Sequence, residues 1–148
     1  MTRPTELLEF ETMLFGRYSL IPRKGADNGL DRSAYLLLSM LQGEGPLSIG
    51  QLSDILGLDA STLNRQTAAL LRAGLAERIP DPDGGIARKF RVTADGVTRL
   101  DAERAQTIRH LDGILESWPE ADIAALAGYL ARFNADIESY RDKHQPRP

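Results

Sequence analysis

The sequence predicts a mainly α-helical fold with a single two-stranded β-hairpin, and three observations carry that reading. Apolar residues recur at spacings of three and four through most of the chain. Capping residues and glycines cut this pattern into helices of defined length, with two short ones near the middle. Only the stretch from residue 75 to residue 92 leaves the helical period, forming two short segments around a tip rich in proline and glycine.

Taken in order, Leu7, Phe10, Leu14, Tyr18 and Ile21 form one apolar face and predict a helix from about Thr5 to Ile21, ending at Pro22. Arg23 to Gly29 reads as a linker loop. Asp31 then caps a helix to about Gln42, with Ala34, Leu37, Leu38 and Leu41 inward, stopped by Gly43, Gly45 and Pro46. Ser48 and Gln51 have capping-box spacing and open a short helix from Ile49 to Leu56, with Leu52, Ile55 and Leu56 predicted to be buried. Gly57 supplies a turn, Asp59 is the next cap, and a helix runs from Ala60 to Ala73 until Gly74 ends it in a left-handed conformation. Two short helices about such a glycine turn make a helix-turn-helix.

The segments Leu75–Ile79 and Arg88–Val92 are the predicted strands, joined through Pro80, Asp81, Pro82, Asp83, Gly84 and Gly85 into a loose hairpin, the wing. Thr93 caps a long helix whose seam is Val97, Leu100, Arg104, Ile108, Leu111 and Leu115, and Trp118-Pro119 breaks it. The last helix, about Pro119 to Arg141, places Ile123, Leu126, Leu130, Phe133, Ile137 and Tyr140 on a heptad seam. Terminal helices with narrow apolar stripes need a partner helix. The predicted organisation is therefore a winged helix-turn-helix over residues 30–98, flanked by dimerisation helices over residues 1–29 and 99–148.

Charge points to a partner. The net charge is −3, yet residues 1–59 carry five basic and eight acidic side chains, residues 60–99 seven and four, and residues 100–148 six and nine. Basic charge is thus concentrated in the middle third, as contact with phosphate requires, although chance clustering on a solvated surface would produce the same count. On the Ala60–Ala73 helix, a turn of 100° per residue puts Leu63, Thr67 and Leu70 on one side with Gln66 flanking, and Ser61, Arg65, Ala68 and Arg72 on the other. No acidic residue lies in that helix. Small residues allow close approach to a major groove, and arginine can grip guanine edges or phosphate.

Other chemistry finds little support. There is no cysteine, which removes disulfides, thiolate metal sites and a cysteine nucleophile. His110 and His144 are the only histidines and lack partners at metal-ligand spacing. No lysine-serine or lysine-threonine step follows the glycines at 43, 45, 84 and 85, so no phosphate loop is built. The reading is a protein that is not an enzyme and needs no cofactor. Glu6, Glu9 and Glu11 near the start, and the lack of any apolar run longer than Ala34–Leu38, fit neither a signal peptide nor a membrane span, so a cytoplasmic location is expected.

From Leu52 to Leu75, with Asp59-Ala60-Ser61-Thr62-Leu63 at one end and Leu70-Leu71-Arg72-Ala73-Gly74-Leu75 at the other, the chain resembles the MarR family of transcription regulators. Asp81-Pro82 and Arg91-Val92-Thr93-Ala94-Asp95-Gly96 extend the resemblance, and the outer helices fall where that family places its dimerisation helices. The resemblance implies a homodimeric, sequence-specific binder of double-stranded DNA, a repressor acting on a pseudo-palindromic operator. It also implies a small aromatic effector held between the dimerisation and DNA-binding parts. Tyr18, Tyr35, His110 and Trp118 are aromatic residues of the right kind, each equally explained as core, and no effector residues are assigned. Ser61, Thr62, Asn64, Arg65 and Gln66 are the expected recognition-helix contacts, and Arg78, Arg88 and Lys89 those of the wing. The wing residues are inferred from charge alone, because Gly84 and Ile86 stand where the family usually carries an aspartate and an arginine. The competing reading is a winged-helix module for protein–protein contact. It predicts an apolar or acidic outer face on the second helix, which Ser61, Thr62, Asn64 and Arg65 do not provide.

Overall fold

The computed structural model describes residues 1–18 and 30–144. Its elements are α1 (Pro4–Arg17), α2 (Arg32–Glu44), α3 (Ile49–Leu56), α4 (Ala60–Arg72), β1 (Ala76–Ile79), β2 (Lys89–Val92), α5 (Ala94–Ile114) and α6 (Glu120–His144). The chain divides into two compact units, Met1–Arg109 and His110–Pro148.

Within the first unit α2, α3, α4 and α5 each begin where a capping side chain satisfies an orphan backbone donor. Asp31 Oδ1 accepts from the Ala34 N–H at 2.8 Å and opens α2. At α3 the Ser48 hydroxyl accepts from the Gln51 N–H at 3.2 Å, while Gln51 Oε1 accepts from the Ser48 N–H at 2.9 Å, a reciprocal box. Gly57, at φ 67°, makes the left-handed turn into α4. Past α4, Gly74 at φ 72° redirects the chain into β1.

Strands β1 and β2 pair antiparallel from Ala76↔Val92 to Ile79↔Lys89. A bridge between Leu47 and Phe90 ties the segment before α3 to β2, with N–H···O distances of 2.8 and 3.2 Å. The periodic pattern does not reveal this bridge, since one extended residue between Pro46 and Ser48 has no period. Thr93 then joins wing to helix: its hydroxyl donates to the Gly74 carbonyl at 2.7 Å and accepts from the Gly96 N–H at 3.0 Å.

The core of this unit is made by Leu37, Leu38, Leu41, Leu52, Leu63, Leu70, Phe90 and Leu100, joined by Leu30, Leu47 and Ala76. The predicted inner faces of α2 and α4 are thus buried, except that Ala34 is only half-buried. Ile55 departs from expectation and is exposed: in an eight-residue helix the apolar stripe is wider than the face that packs. On α5 the buried positions are Gly96, Leu100 and Glu103, while Ile108 is exposed. Glu103 is not isolated, because its Oε1 accepts from the Leu30 N–H at 2.8 Å. Arg104, placed on the predicted seam, instead donates to Gln42 Oε1 of α2 at 2.6 Å.

The first helix is shorter than its apolar face predicts. It ends at Arg17, and Tyr18 is extended at φ −95° and ψ 123°. Gly16 in the last turn weakens helical continuation. The rest of the predicted helix to Ile21 and the predicted linker Arg23–Gly29 lie outside the described residues. No residue of α1 is buried, and Leu7, Phe10, Met13 and Phe15 are exposed. In the second unit, α6 likewise buries no side chain: Leu126, Leu130, Phe133, Ile137 and Tyr140 of the heptad seam are exposed and Ile123 is half-buried.

Candidate nucleic-acid interface

The inner face of α4 is fixed by Leu63, Thr67 and Leu70, all buried. Thr67 can be buried because its hydroxyl donates to the Leu63 carbonyl at 2.7 Å, leaving no unmatched polar group. With that face anchored, the helix can present only its opposite face. Ser61, Asn64, Arg65 and Arg72 are exposed there, and Thr62 and Gln66 are half-buried along the flanks.

The start of α4 is electrostatically set by Asp59. Its carboxylate accepts from the Thr62 N–H at 2.7 Å and from the Ser61 hydroxyl at 2.8 Å, and its pKa falls from an ordinary 3.8 to about 2, chiefly through the Thr62 bond and then through Ser61. The Ser61 proton is thus held by Asp59, which leaves the hydroxyl oxygen available only as an acceptor. Because the folded pKa is depressed, the cap's contribution is fully present above the ordinary carboxylate value and disappears as pH falls through about 2. Asp59→Ala is expected to lower the melting temperature at neutral pH. That deficit should shrink between pH 4 and pH 2, as roughly ordinary carboxylate titration dictates. A deficit independent of pH would contradict the cap.

The wing residues occupy different environments. Arg88 is exposed and has no acidic partner among the described residues. Arg78 is exposed, with its guanidinium carbon 5.5 Å from the centre of the Phe90 ring, a cation–π contact. Lys89 differs from the expectation based on charge: its ammonium lies 3.3 Å from Asp81 Oδ1, and the two side chains are only 12% and 13% exposed. It fastens the tip loop to the end of the strands in preference to projecting from them. The charge count along the sequence finds Lys89 but cannot show that Asp81 occupies it. Arg91 is also engaged, donating from Nε to Glu77 Oε1 at 2.9 Å across the strands.

Arg65 and Gln66 also line a cavity of about 450 Å³ between the start of α2 and the flank of α4, together with Leu30, Asp31, Ala34 and Leu70 among others. Sequence reasoning did not find it, because its walls come from segments far apart in the chain. None of Tyr18, Tyr35, His110 and Trp118 lines it: Tyr35 packs against the core, and the other three are exposed. Among the described residues no cluster of His, Asp or Glu could hold a metal ion, and no helix is long and apolar enough to cross a membrane.

A short helix, a glycine turn, a second helix with a polar, acid-free outer face and a following hairpin define a winged helix-turn-helix of the kind found in transcription regulators. Residues 28–85 match the model of the MarR family. Over 133 residues, 88% of this chain and 93% of the relative, the sequence is 33% identical to YxaD, an uncharacterized HTH-type transcriptional regulator of Bacillus subtilis (strain 168). The chain belongs to the MarR family, whose members are transcriptional regulators and not enzymes. Its fold is shared with a cysteine-to-serine mutant of MarR from E. coli, with a TM-score of 0.72 at 16% identity over 90% of this chain and 97% of that one. A MarR family protein from Bacillus stearothermophilus gives a TM-score of 0.68 at 19% identity over 93% and 99%.

Proposed function

We propose that this chain is a cytoplasmic, homodimeric repressor that binds a pseudo-palindromic operator in double-stranded DNA, with no catalytic role. The observation that carries the reading is the two-faced α4: Leu63, Thr67 and Leu70 anchor it in the core while Ser61, Asn64 and Arg65 stand outward on a helix free of acidic residues. Arg65 supplies the main base contact, bidentate to a guanine edge, and Ser61, Thr62, Asn64 and Gln66 contact neighbouring bases or phosphates. Arg78 and Arg88 reach phosphate from the wing, whereas Lys89 acts through the hairpin's shape.

The exposed apolar faces of α1 and α6 support a dimer built from residues 1–29 and 99–148 around the winged helix of residues 30–98. Enclosing each large apolar side chain is worth roughly 1.5–3 kcal/mol, so the seam of α6 gains most by pairing with a second copy. A small aromatic effector is part of this reading, although the cavity of about 450 Å³ against Arg65 and Gln66 is lined wholly by residues of the winged helix, whereas the resemblance implies a ligand held between that part and the dimerisation helices. In a neighbour of similar fold, the PcaV regulator of Streptomyces coelicolor, a natural ligand is bound, which supports a ligand-responsive reading of this fold.

Arg65→Ala is expected to weaken binding to the preferred operator by about 1–3 kcal/mol, with little change on random-sequence DNA. Titration of both duplexes with wild type and variant measures this. Equal losses on both would reassign Arg65 to phosphate contact.

A further inference from the structure

Two consecutive residues of α5 hold the two ends of α2. Glu103 Oε1 accepts from the Leu30 N–H at 2.8 Å, just ahead of the Asp31 cap, and Arg104 donates to Gln42 Oε1, in the last turn of the helix, at 2.6 Å. Asp101, one turn earlier on α5, lies 4.0 Å from the Arg104 guanidinium and steadies it. A helix of 13 residues is about 20 Å long, so one point on α5 governs both its entry and its exit.

Packing alone would not select this clamp. Glu103 is only 4% exposed, and its other oxygen, Oε2, has no hydrogen-bond partner. Burying a carboxylate with one oxygen unmatched is unfavourable, and an apolar residue would fill the space without that penalty. Ser39 Oγ on α2 and Thr107 Oγ1 on α5, one turn beyond Glu103, are buried and unpartnered as well, whereas the buried Thr67 of α4 has its hydroxyl matched. Among the described residues, unmatched buried side-chain oxygens are thus confined to α2 and α5. A contact held by directed polar bonds has a defined length and angle. Sliding it by an ångström or so breaks the bonds, where apolar side chains would slip past one another with little loss.

We infer that Glu103 and Arg104 are positioning residues that fix the angle of α2 on α5, and through it the separation of the two α4 helices in a dimer; the inference rests on the dimeric DNA-binding function proposed above. The route runs through the core. Leu37, Leu38 and Leu41 of α2 lie in one buried cluster with Leu63 and Leu70 of α4, so α4 moves as α2 moves. Leu30, whose N–H Glu103 holds, belongs to the same cluster and also lines the cavity beside Arg65. Helix α5 in turn belongs to the part proposed to pair with a second copy. A tilt of α2 on α5 therefore changes how far Arg65 stands from the two-fold axis. The operator measures that distance in steps, since each added base pair moves a half-site by about 3.4 Å and roughly a tenth of a turn.

The test uses full-length protein and half-sites taken from sequences that the protein itself selects. They are presented as a pair at the preferred spacing, as pairs one base pair closer and one base pair further apart, and singly. Wild type should bind the preferred spacing about tenfold more tightly than either altered one. Arg104→Ala and Gln42→Ala, both at half-buried positions, and Glu103→Ala should each lose about tenfold on the preferred spacing and nothing on the other duplexes, which flattens the spacing profile. Glu103→Gln, whose amide oxygen still accepts from the Leu30 N–H, should keep the wild-type profile. If Glu103→Ala does not fold, Arg104→Ala and Gln42→Ala decide the matter. A wild-type profile in either of those two variants overturns the inference. So does an equal loss on every duplex, the single half-site included, because a merely structural bond would act in that way. Failure of wild type to bind any of the duplexes would instead remove the DNA-binding function on which the inference rests.

Discussion

Gly96→Ala is expected to destabilise the protein by roughly 3 kcal/mol, lowering the melting temperature by about 10 °C. Gly96 is buried in the first turn of α5, and a Cβ added there would overlap the Leu75 carbonyl oxygen and come within 2.7 Å of Val92 Cγ2. One of those neighbours is backbone. It cannot turn aside as a side chain tip would, and its shift would disturb the chain just before β1, where Thr93 and Gly74 are bonded. Gly113, near the far end of the same helix, has nothing within 4 Å of an added Cβ, so Gly113→Ala should stabilise by about 0.5 kcal/mol through helix propensity. Urea or thermal unfolding of the two variants gives opposite signs. Equal stability would mean that α5 does not approach Leu75 so closely.

The other large effect is expected at Leu63. Its side chain is completely buried on the inner face of α4, so Leu63→Ala leaves a cavity that a packed core closes only in part. The cost should be about 2–5 kcal/mol, a large share of the roughly 5–15 kcal/mol that keeps a domain folded. Arg65, two residues further on, is exposed, and its replacement by alanine should leave the melting temperature unchanged while DNA binding falls. Helix α4 thereby separates stability from recognition by face. A Leu63→Ala variant as stable as wild type would show that the inner face had been misassigned.

These contrasts indicate what the sequence makes legible. Helix boundaries set by Asp31, Ser48, Asp59 and Thr93 are readable because each cap is a local event, decided within three residues. The burial of Leu63, Thr67 and Leu70 follows equally from a 100° turn per residue. What depends on distant partners is not readable. Lys89 counts as a free cation in the sequence and is held by Asp81 in the structure; Arg104 belongs to an apolar seam in the sequence and bonds Gln42 in the structure. Phe90 becomes core through its bridge to Leu47, more than 40 residues earlier by sequence number. Of the candidate interface, the outer face of α4 was legible because it is the complement of a local apolar face. The cavity beside Arg65 and the closed tip around Asp81 were not, because both are made by tertiary contacts.

The measurement that bears most directly on the proposed function is selection of bound sequences from a random duplex pool by the full-length protein. Two copies of α4 related by a two-fold axis would enter successive major grooves about 34–36 Å apart, so the enriched sequences should form a pseudo-palindrome with half-sites one helical turn apart. Arg65→Ala should relax the consensus at the position it contacts in each half-site while the two-fold spacing persists. A pool that emerges without consensus, or with a single unrepeated half-site, would contradict a dimeric, sequence-reading regulator.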